Sequence, residues 1–165
     1  MKVGVLSDSH DRLEKIERAL PILGKEKVDI ILHAGDIISP FSAKLFTKID
    51  TPTYFTFGNN DGEKILLKEI ITSSKNCKLV WPKGVIEVEG YKIALLHGED
   101  EDIIESLASS SRYDLVVYGH WHKTVNKRYN NTLLVNPGEL CGYLSGRSTF
   151  AIVKMEEKRV DIIEI

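Results

Sequence analysis

The chain has 165 residues with a formal net charge of -2, hydrophobic residues at 42% and charged residues at 28%, which fits one ordinary domain able to bury its own core. That slightly acidic balance excludes a protein held on nucleic acid by a broad basic surface. No apolar run approaches the ~18 residues of a membrane span, and the apolar start is too short for a secretory leader, so the cytoplasm is the expected compartment.

Val3 to Leu6 is a short apolar run that reads as a buried strand and ends at Asp8 and His10. Asp11 and Glu14 have capping-box spacing, Leu13, Ile16, Ala19, Leu20 and Leu23 recur at helical period, and Gly24 closes the helix. Val28 to Leu32 is a second strand, ending in the polar residues from His33 to Asp36. Ser39-Pro40 opens a short helix, with serine as cap and proline in the first turn. Thr53 to Phe57 is a third strand, and Ile65, Leu66, Ile70 and Ile71 mark the helix after it. This alternation predicts βαβ units and a mainly parallel sheet.

Beyond residue 80 the pattern changes. Val85 to Val88, Glu89-Gly90 and Tyr91 to Leu96 read as a hairpin that ends at His97, with a helix following at Ile103, Ile104 and Leu107. Leu115 to Tyr118 is a strand ending at Gly119. Val125 to Tyr129, Leu133 to Val135, Phe150 to Met155 and Val160 to Ile163 fill the tail with strands. The expected fold is a single α/β domain over residues 1–165, with two packed mixed β-sheets flanked by helices and a second half that is mostly antiparallel.

Four of the five histidines fall in polar clusters at strand exits. The clusters are Asp8-Ser9-His10, Gly35-Asp36, Gly58-Asn59-Asn60-Asp61, His97-Gly98 and Gly119-His120-Trp121-His122. Alone, each has a plain structural reading: a capping turn, a tight turn, an ordinary loop or an exposed histidine pair. Together they place carboxylates and imidazoles beyond the carboxyl ends of several strands, where open α/β folds hold ligands. Asp8, His10, Asp36, Asn59, His97, His120 and His122 are too many for one four-coordinate site and suit two adjacent metals sharing a carboxylate. Oxygen and imidazole donors favour manganese, iron, cobalt, nickel or zinc over calcium, and the lack of cysteine ligands argues against a structural zinc. Two such ions about 3.5–4 Å apart suit hydrolysis at phosphorus by a bridging hydroxide, with no side-chain nucleophile.

In order, DxH (Asp8, His10), GD (Gly35, Asp36), GN (Gly58, Asn59), a lone His97 and GHxH (Gly119, His120, His122) resemble the motif series of the calcineurin-like metallophosphoesterases. Asn136-Pro137-Gly138 extends the match toward the small phosphodiesterases of the YfcE type. The resemblance implies a four-layer α/β/β/α sandwich and a metal-dependent phosphoric diester hydrolase. It assigns Asp8, His10, Asp36 and His122 to one metal and Asn59, His97 and His120 to the second, with Asp36 bridging. Manganese or nickel is expected first, and Asn59, Asn60, His97 and His120 are the expected catalytic residues. A small phosphodiester is the expected partner, and relatives suggest self-association as a dimer or tetramer.

One departure bears on substrate. Where many members carry histidine after the metal-binding asparagine, this chain has Asn60, which can donate a hydrogen bond but cannot deliver a proton. That predicts a preference for diesters over alkyl monoesters. The remaining candidates have plain readings: His33 as a buried histidine bonded to backbone, Glu99 as solvated, Arg147 as a surface residue, and Cys77 and Cys141 as reduced, small hydrophobes. Trp81 and Trp121 read as core or pocket wall. The competing function is a catalytically weak protein-binding scaffold on the same fold, as in the retromer subunit of the superfamily, which would tolerate loss of a ligand that this chain retains.

Overall fold

The computed structural model describes residues 1–82 and 84–165. Strand β1 (Lys2–Leu6) leads through helix α1 (Leu13–Lys25) to β2 (Ile30–His33), through α2 (Pro40–Phe46) to β3 (Thr53–Phe55), and through α3 (Lys64–Ser73) to β4 (Cys77–Leu79). These strands pair in parallel, because each connection carries a helix back across the sheet. Next come the hairpin β5 (Gly84–Val88) and β6 (Tyr91–Leu95), then α4 (Glu101–Ser109), β7 (Leu115–Val117), β8 (Thr124–Tyr129) and β9 (Thr132–Pro137). The last strands, β10 (Thr149–Lys154) and β11 (Arg159–Glu164), return to the first sheet, where β10 lies antiparallel to β1. The sheet orders are β11-β10-β1-β2-β3-β4 and β5-β6-β7-β9-β8.

Side-chain alternation along the strands sorts the interior into three cores. Val3, Val5, Ile30 and Leu32 of the first sheet meet Ile93, Leu95, Val117 and Val135 of the second in the middle layer. Leu6, Ile31, Phe55 and Phe150 face the other way, onto Ile16, Ala19 and Leu23 of α1, Phe46 of α2 and Leu67 and Ile71 of α3. Ala94, Val116 and Leu134 cover Ile104 and Ala108 of α4. The expected α/β/β/α layering therefore holds. Helix α1 lies close to its sheet at Gly4, where a Cβ would stand 2.8 Å from Leu23 Cδ2. Among the described residues, no helix is long and apolar enough to cross a membrane.

Several local expectations need correction. The capping box at Asp11 and Glu14 does not form, since the cap position is Arg12 with no side-chain cap bond. Asp11 instead accepts from the hydroxyls of Ser39 and Ser42, which ties the entrance of α1 to α2, and Glu14 pairs with Arg12. Gly24 lies inside α1, and the chain turns out one residue after the cap at Lys27, with φ at 54°. Strand β2 begins at Ile30 rather than Val28, and β3 stops at Phe55 rather than Phe57. The three-residue β4 has too short a pattern to read. The second half is less antiparallel than expected, because β6, β7 and β9 run parallel at the centre of their sheet. Ser39 does cap α2, accepting from Phe41 N at 3.2 Å.

Leu32→Ala removes a fully buried side chain from the middle core. It is expected to lower stability by about 2–5 kcal/mol in urea titrations. Ile65→Ala, at a position 76% exposed, serves as the control and is expected to change stability by less than about 0.5 kcal/mol.

Candidate metal centre

The polar clusters follow the carboxyl ends of β1, β2 and β3 in one sheet and β6, β7 and β9 in the other, and they meet at one rim of the sandwich. Backbone bonds sew the rim together: Asp8 N donates to Gly35 O at 3.0 Å, His10 N to Asp36 O at 3.0 Å, Gly119 N to His97 O at 2.8 Å and Cys141 N to Asp8 O at 3.0 Å. Five of the seven expected ligands sit in the left-handed region, with φ of 51° at Asp8, 43° at His10, 56° at Asp36, 65° at His120 and 55° at His122. Such backbone is sparsely populated for residues with a Cβ, and its clustering marks a site built for geometry rather than stability.

On one side of the rim, Asp8 Oδ1 lies 3.4 Å from His122 Nε2 and 3.9 Å from His10 Nε2. His10 Nε2 in turn lies 3.5 Å from Asp36 Oδ2. Asp8 Oδ1 and His10 Nε2 are buried and have no hydrogen-bond partner. Burial pushes the Asp8 carboxyl up, partly offset by its bond with Ser7 and by nearby histidines. Unpartnered buried donors and acceptors are costly, and a cation among them removes the cost.

The other side repeats the arrangement. His97 Nδ1 is 2.7 Å from Ala34 O, and a carbonyl can only accept, so Nδ1 carries the proton. In the neutral ring, Nε2 then presents a lone pair to Asn59 Oδ1 at 2.9 Å and Asp36 Oδ2 at 3.5 Å. Asn59 Oδ1 is also 2.9 Å from His120 Nδ1. Lone pairs aimed at lone pairs need a positive charge between them: a proton on the ring nitrogen, which makes each contact an ordinary hydrogen bond, or a metal ion in the proton's place. Burial opposes charge on His97, yet the Asp36 carboxylate outweighs it and pushes the imidazole up to about 9. Burial likewise acts to raise Asp36, but bonds from His97 and Asn60 hold its carboxyl well below the usual range. The 3.4–3.9 Å spacings stand at or up to half an ångström above the roughly 3.0–3.4 Å that separates neighbouring donors of one ion at bonds of about 2.1 Å, so the donors would draw together slightly to share one. Asp8, Asp36 and His97 offer ligand atoms within 4.8 Å of one another, as do His10, His122 and Cys141.

Three supporting residues were not legible as such. Glu139, fully buried, accepts from His122 Nδ1 at 2.7 Å and from the backbone N–H groups of Tyr143, Leu144 and Ser145. Burial would raise it, but these bonds hold it down to about 2, so it stays a carboxylate and aims His122 Nε2 at Asp8. The only sequence signal was its place just after Asn136-Pro137-Gly138. Asn136 itself donates to Gly119 O at 2.8 Å. Asp61, read as part of an ordinary loop, accepts from Asp36 N at 3.0 Å, Ile38 N at 2.6 Å and Gly58 N at 2.7 Å, clamping two turns together. Cys141 brings a sulfur to the rim that the reading of a cysteine-free ligand set passed over. Burial and the neighbouring Glu139 push its thiol up to about 12, and its Sγ donates to Glu139 Oε2 at 3.0 Å.

The other singled-out residues take definite places. Asn60 Nδ2 donates to Asp36 Oδ2 at 2.7 Å and Asn60 N to Asp36 Oδ1 at 2.8 Å, so its amide is turned onto the shared carboxylate. His33 is buried against Phe46 and Phe55, with Nε2 3.0 Å from Ser9 Oγ, a hydroxyl rather than the expected backbone partner. Burial lowers it to about 3 and keeps it neutral. Trp121 donates its indole N–H to Gly98 O at 3.0 Å, and its ring stands nearly perpendicular to that of His120, with centroids 5.2 Å apart. Arg147 pairs with Glu164 at the surface, and Glu99 is exposed. Cys77 and Cys141 are free and buried.

This rim, on two mixed sheets, is that of a metallophosphoesterase. The family model for the calcineurin-like phosphoesterase superfamily domain matches residues 1–158, and the chain belongs to that family. Among its relatives, Phosphodiesterase MJ0936 of Methanocaldococcus jannaschii is 37% identical over 158 residues, covering 96% of this chain and 95% of the relative. A probable metallophosphoesterase of Methanothermobacter thermautotrophicus is 28% identical over 148 residues, covering 84% and 76%. The solved structure of an archaeal phosphodiesterase superposes with a TM-score of 0.94 at 36% identity, over 100% of both chains. YfcE, a phosphoesterase from E. coli, superposes with a TM-score of 0.68 at 17% identity, again over 100% of both, which shows likeness of fold.

At Gly119 a loop of the second sheet lies directly against one of the first: a Cβ there would lie 1.8 Å from Ser7 Oγ and 2.7 Å from Asp8 Oδ2. Gly119→Ala is expected to cost about 1–3 kcal/mol in urea titrations, as overpacking does. Gly62→Ala, with nothing within 4 Å of the added carbon, is expected to be neutral or slightly stabilising.

Proposed function

We propose that the chain is a metal-dependent phosphodiesterase in which Asp8, His10, Asp36 and His122 hold one divalent cation and Asn59, His97 and His120, with Asp36 shared, hold a second. The observation that carries this is the position of Asp36 Oδ2, 3.5 Å from both His10 Nε2 and His97 Nε2, beside the unpartnered Asp8 Oδ1 and His10 Nε2. When bound, the cations supply neutralisation of the phosphoryl oxygens and the acidity that turns water into the nucleophile. The mixed oxygen and imidazole set suits manganese or nickel first, and iron, cobalt or zinc next. Likeness to the M. jannaschii phosphodiesterase supports the diester as substrate class.

The chain's own residues do the positioning. Glu139 holds the His122 tautomer, Ala34 holds that of His97, and Asn60 orients the shared carboxylate. None of these groups delivers a proton to a poor leaving group, so diesters and activated esters are favoured over alkyl monoesters. The buried, free cysteines accord with a reducing compartment such as the cytoplasm. A binding scaffold would have no use for the full ligand set, and the retained set favours an enzyme.

The test is hydrolysis of bis-p-nitrophenyl phosphate by chelator-stripped protein, with manganese or nickel restored. Turnover is expected only with metal. Asp36→Asn is expected to lower kcat/KM by more than about a hundredfold, and Glu139→Gln to weaken metal affinity about 10–100-fold, the usual cost of losing a partner that orients a ligand. No metal-stimulated turnover would favour the scaffold. On matched alkyl substrates the diester is expected to turn over faster than the monoester, and Asn60→His to narrow the gap. A monoester equal to or better than its diester would sink the preference.

A further inference from the structure

Beside the rim lies a cleft of about 500 Å³, walled by Phe57, Trp81, Pro82, Leu96 and Ile103, with His97 also in its lining. Its size falls in the ~300–1,000 Å³ range of small-molecule sites. The walls join the proposed centre through the chain at two points. Phe57 stands just before Gly58 and Asn59, and Ile103 lies in the first turn of α4, a few residues after His97. That turn is fixed by Asp100, which accepts from Asp102 N at 3.0 Å and Ile103 N at 3.2 Å.

The apolar groups in the cleft are presented rather than packed away. Trp81 is 55% exposed and Ile103 is 49% exposed, although both are large and apolar. The Trp81 indole is tilted against the buried Phe57 ring, with centroids 6.1 Å apart, which braces one face of a flat wall. Glu99 stands on the same lining and offers acceptor oxygens to a hydrogen-bond donor. Trp121, the other tryptophan at this rim, has its N–H committed to Gly98 O and its ring set against His120. Trp121 is also 42% exposed, but it fronts a different cleft, beside Tyr118 and Tyr129, so the exposed aromatic surface within this cleft is that of Trp81.

We propose that the cleft between Trp81 and Ile103 is the subsite for one ester arm of the substrate, and that this arm is a planar aromatic ring such as a nucleobase. The inference rests on the diesterase reading above and adds specificity to it. The ring would lie on the Trp81 indole with the Ile103 side chain across from it, while the phosphoryl group reaches the rim at His97. Stacking on an aromatic side chain suits any flat ring, so the cleft would select for ring against alkyl arm more than for one base against another.

The test compares p-nitrophenyl phosphodiesters whose second arm is methyl, phenyl or 5′-adenosyl, in the presence of manganese. In the unaltered protein, KM is expected to fall from methyl to phenyl to adenosyl. Trp81→Ala is expected to raise KM for the phenyl and adenosyl esters about tenfold, bringing the three values together, with Ile103→Ala acting in the same direction from the opposite wall. Equal KM for all arms in the unaltered protein, or the same fold-change for all three in Trp81→Ala, overturns the proposal. If none of the esters is turned over, the diesterase reading fails first. Calorimetric binding of methyl phosphate, phenyl phosphate and adenosine 5′-monophosphate then decides the cleft alone: tighter binding of the ring-bearing ligands, abolished by Trp81→Ala, supports it, and equal binding refutes it.

Discussion

The Asp36 carboxylate is the group on which the rim depends. Its Oδ2 faces imidazole nitrogens from two different sheets, and Asn60 grips both of its oxygens. Its backbone is held as firmly: Asp61 takes its N–H, and its carbonyl accepts from His10 N. A buried carboxylate with so many bonds stays ionised. It is also a concentrated negative charge in an apolar setting, and a cation is the natural counterweight.

The rest of the architecture can be read as support for that charge. The middle core presses two sheets face to face, so that strand ends from both reach one edge. Six loops then have to fit together in a small volume, and the fit imposes demands that ordinary strand chemistry does not meet. Left-handed backbone at Asp8, His10, Asp36, His120 and His122 is one such demand. The bare backbone of Gly119 against Ser7 and Asp8 is another. Strain of this kind persists only where the surroundings over-determine it. Here Asp61 and Glu139 do so, each gathering several N–H groups onto one buried carboxylate.

Much of this was visible in the chain itself. Apolar runs with period two or 3.6 give strands and helices, because burying one face is a local demand of the backbone geometry. The polar clusters stood out because carboxylate, asparagine and histidine are poor companions for a strand end unless something binds there. Glu139, Asp61 and Cys141 were harder to see. A buried acid that serves as a hydrogen-bond acceptor looks, in sequence, like any surface acid in a loop. Capping at Asp11 failed for a related reason: the spacing fitted a capping box, but the hydroxyls of Ser39 and Ser42, about thirty residues away, took its carboxylate instead.

By itself, then, the sequence determined the types of all the longer elements, the family and a candidate set of metal ligands, since each follows from local pattern or ordered motif. Tertiary structure alone decided that β10 returns beside β1, that Glu139 aims His122, that Asn60 turns onto Asp36, and that Trp81 and Ile103 line one cleft. Those outcomes depend on contacts between residues far apart in the chain. Such contacts are settled by packing and by the pairing of buried polar groups, and neither leaves a period or a spacing to read.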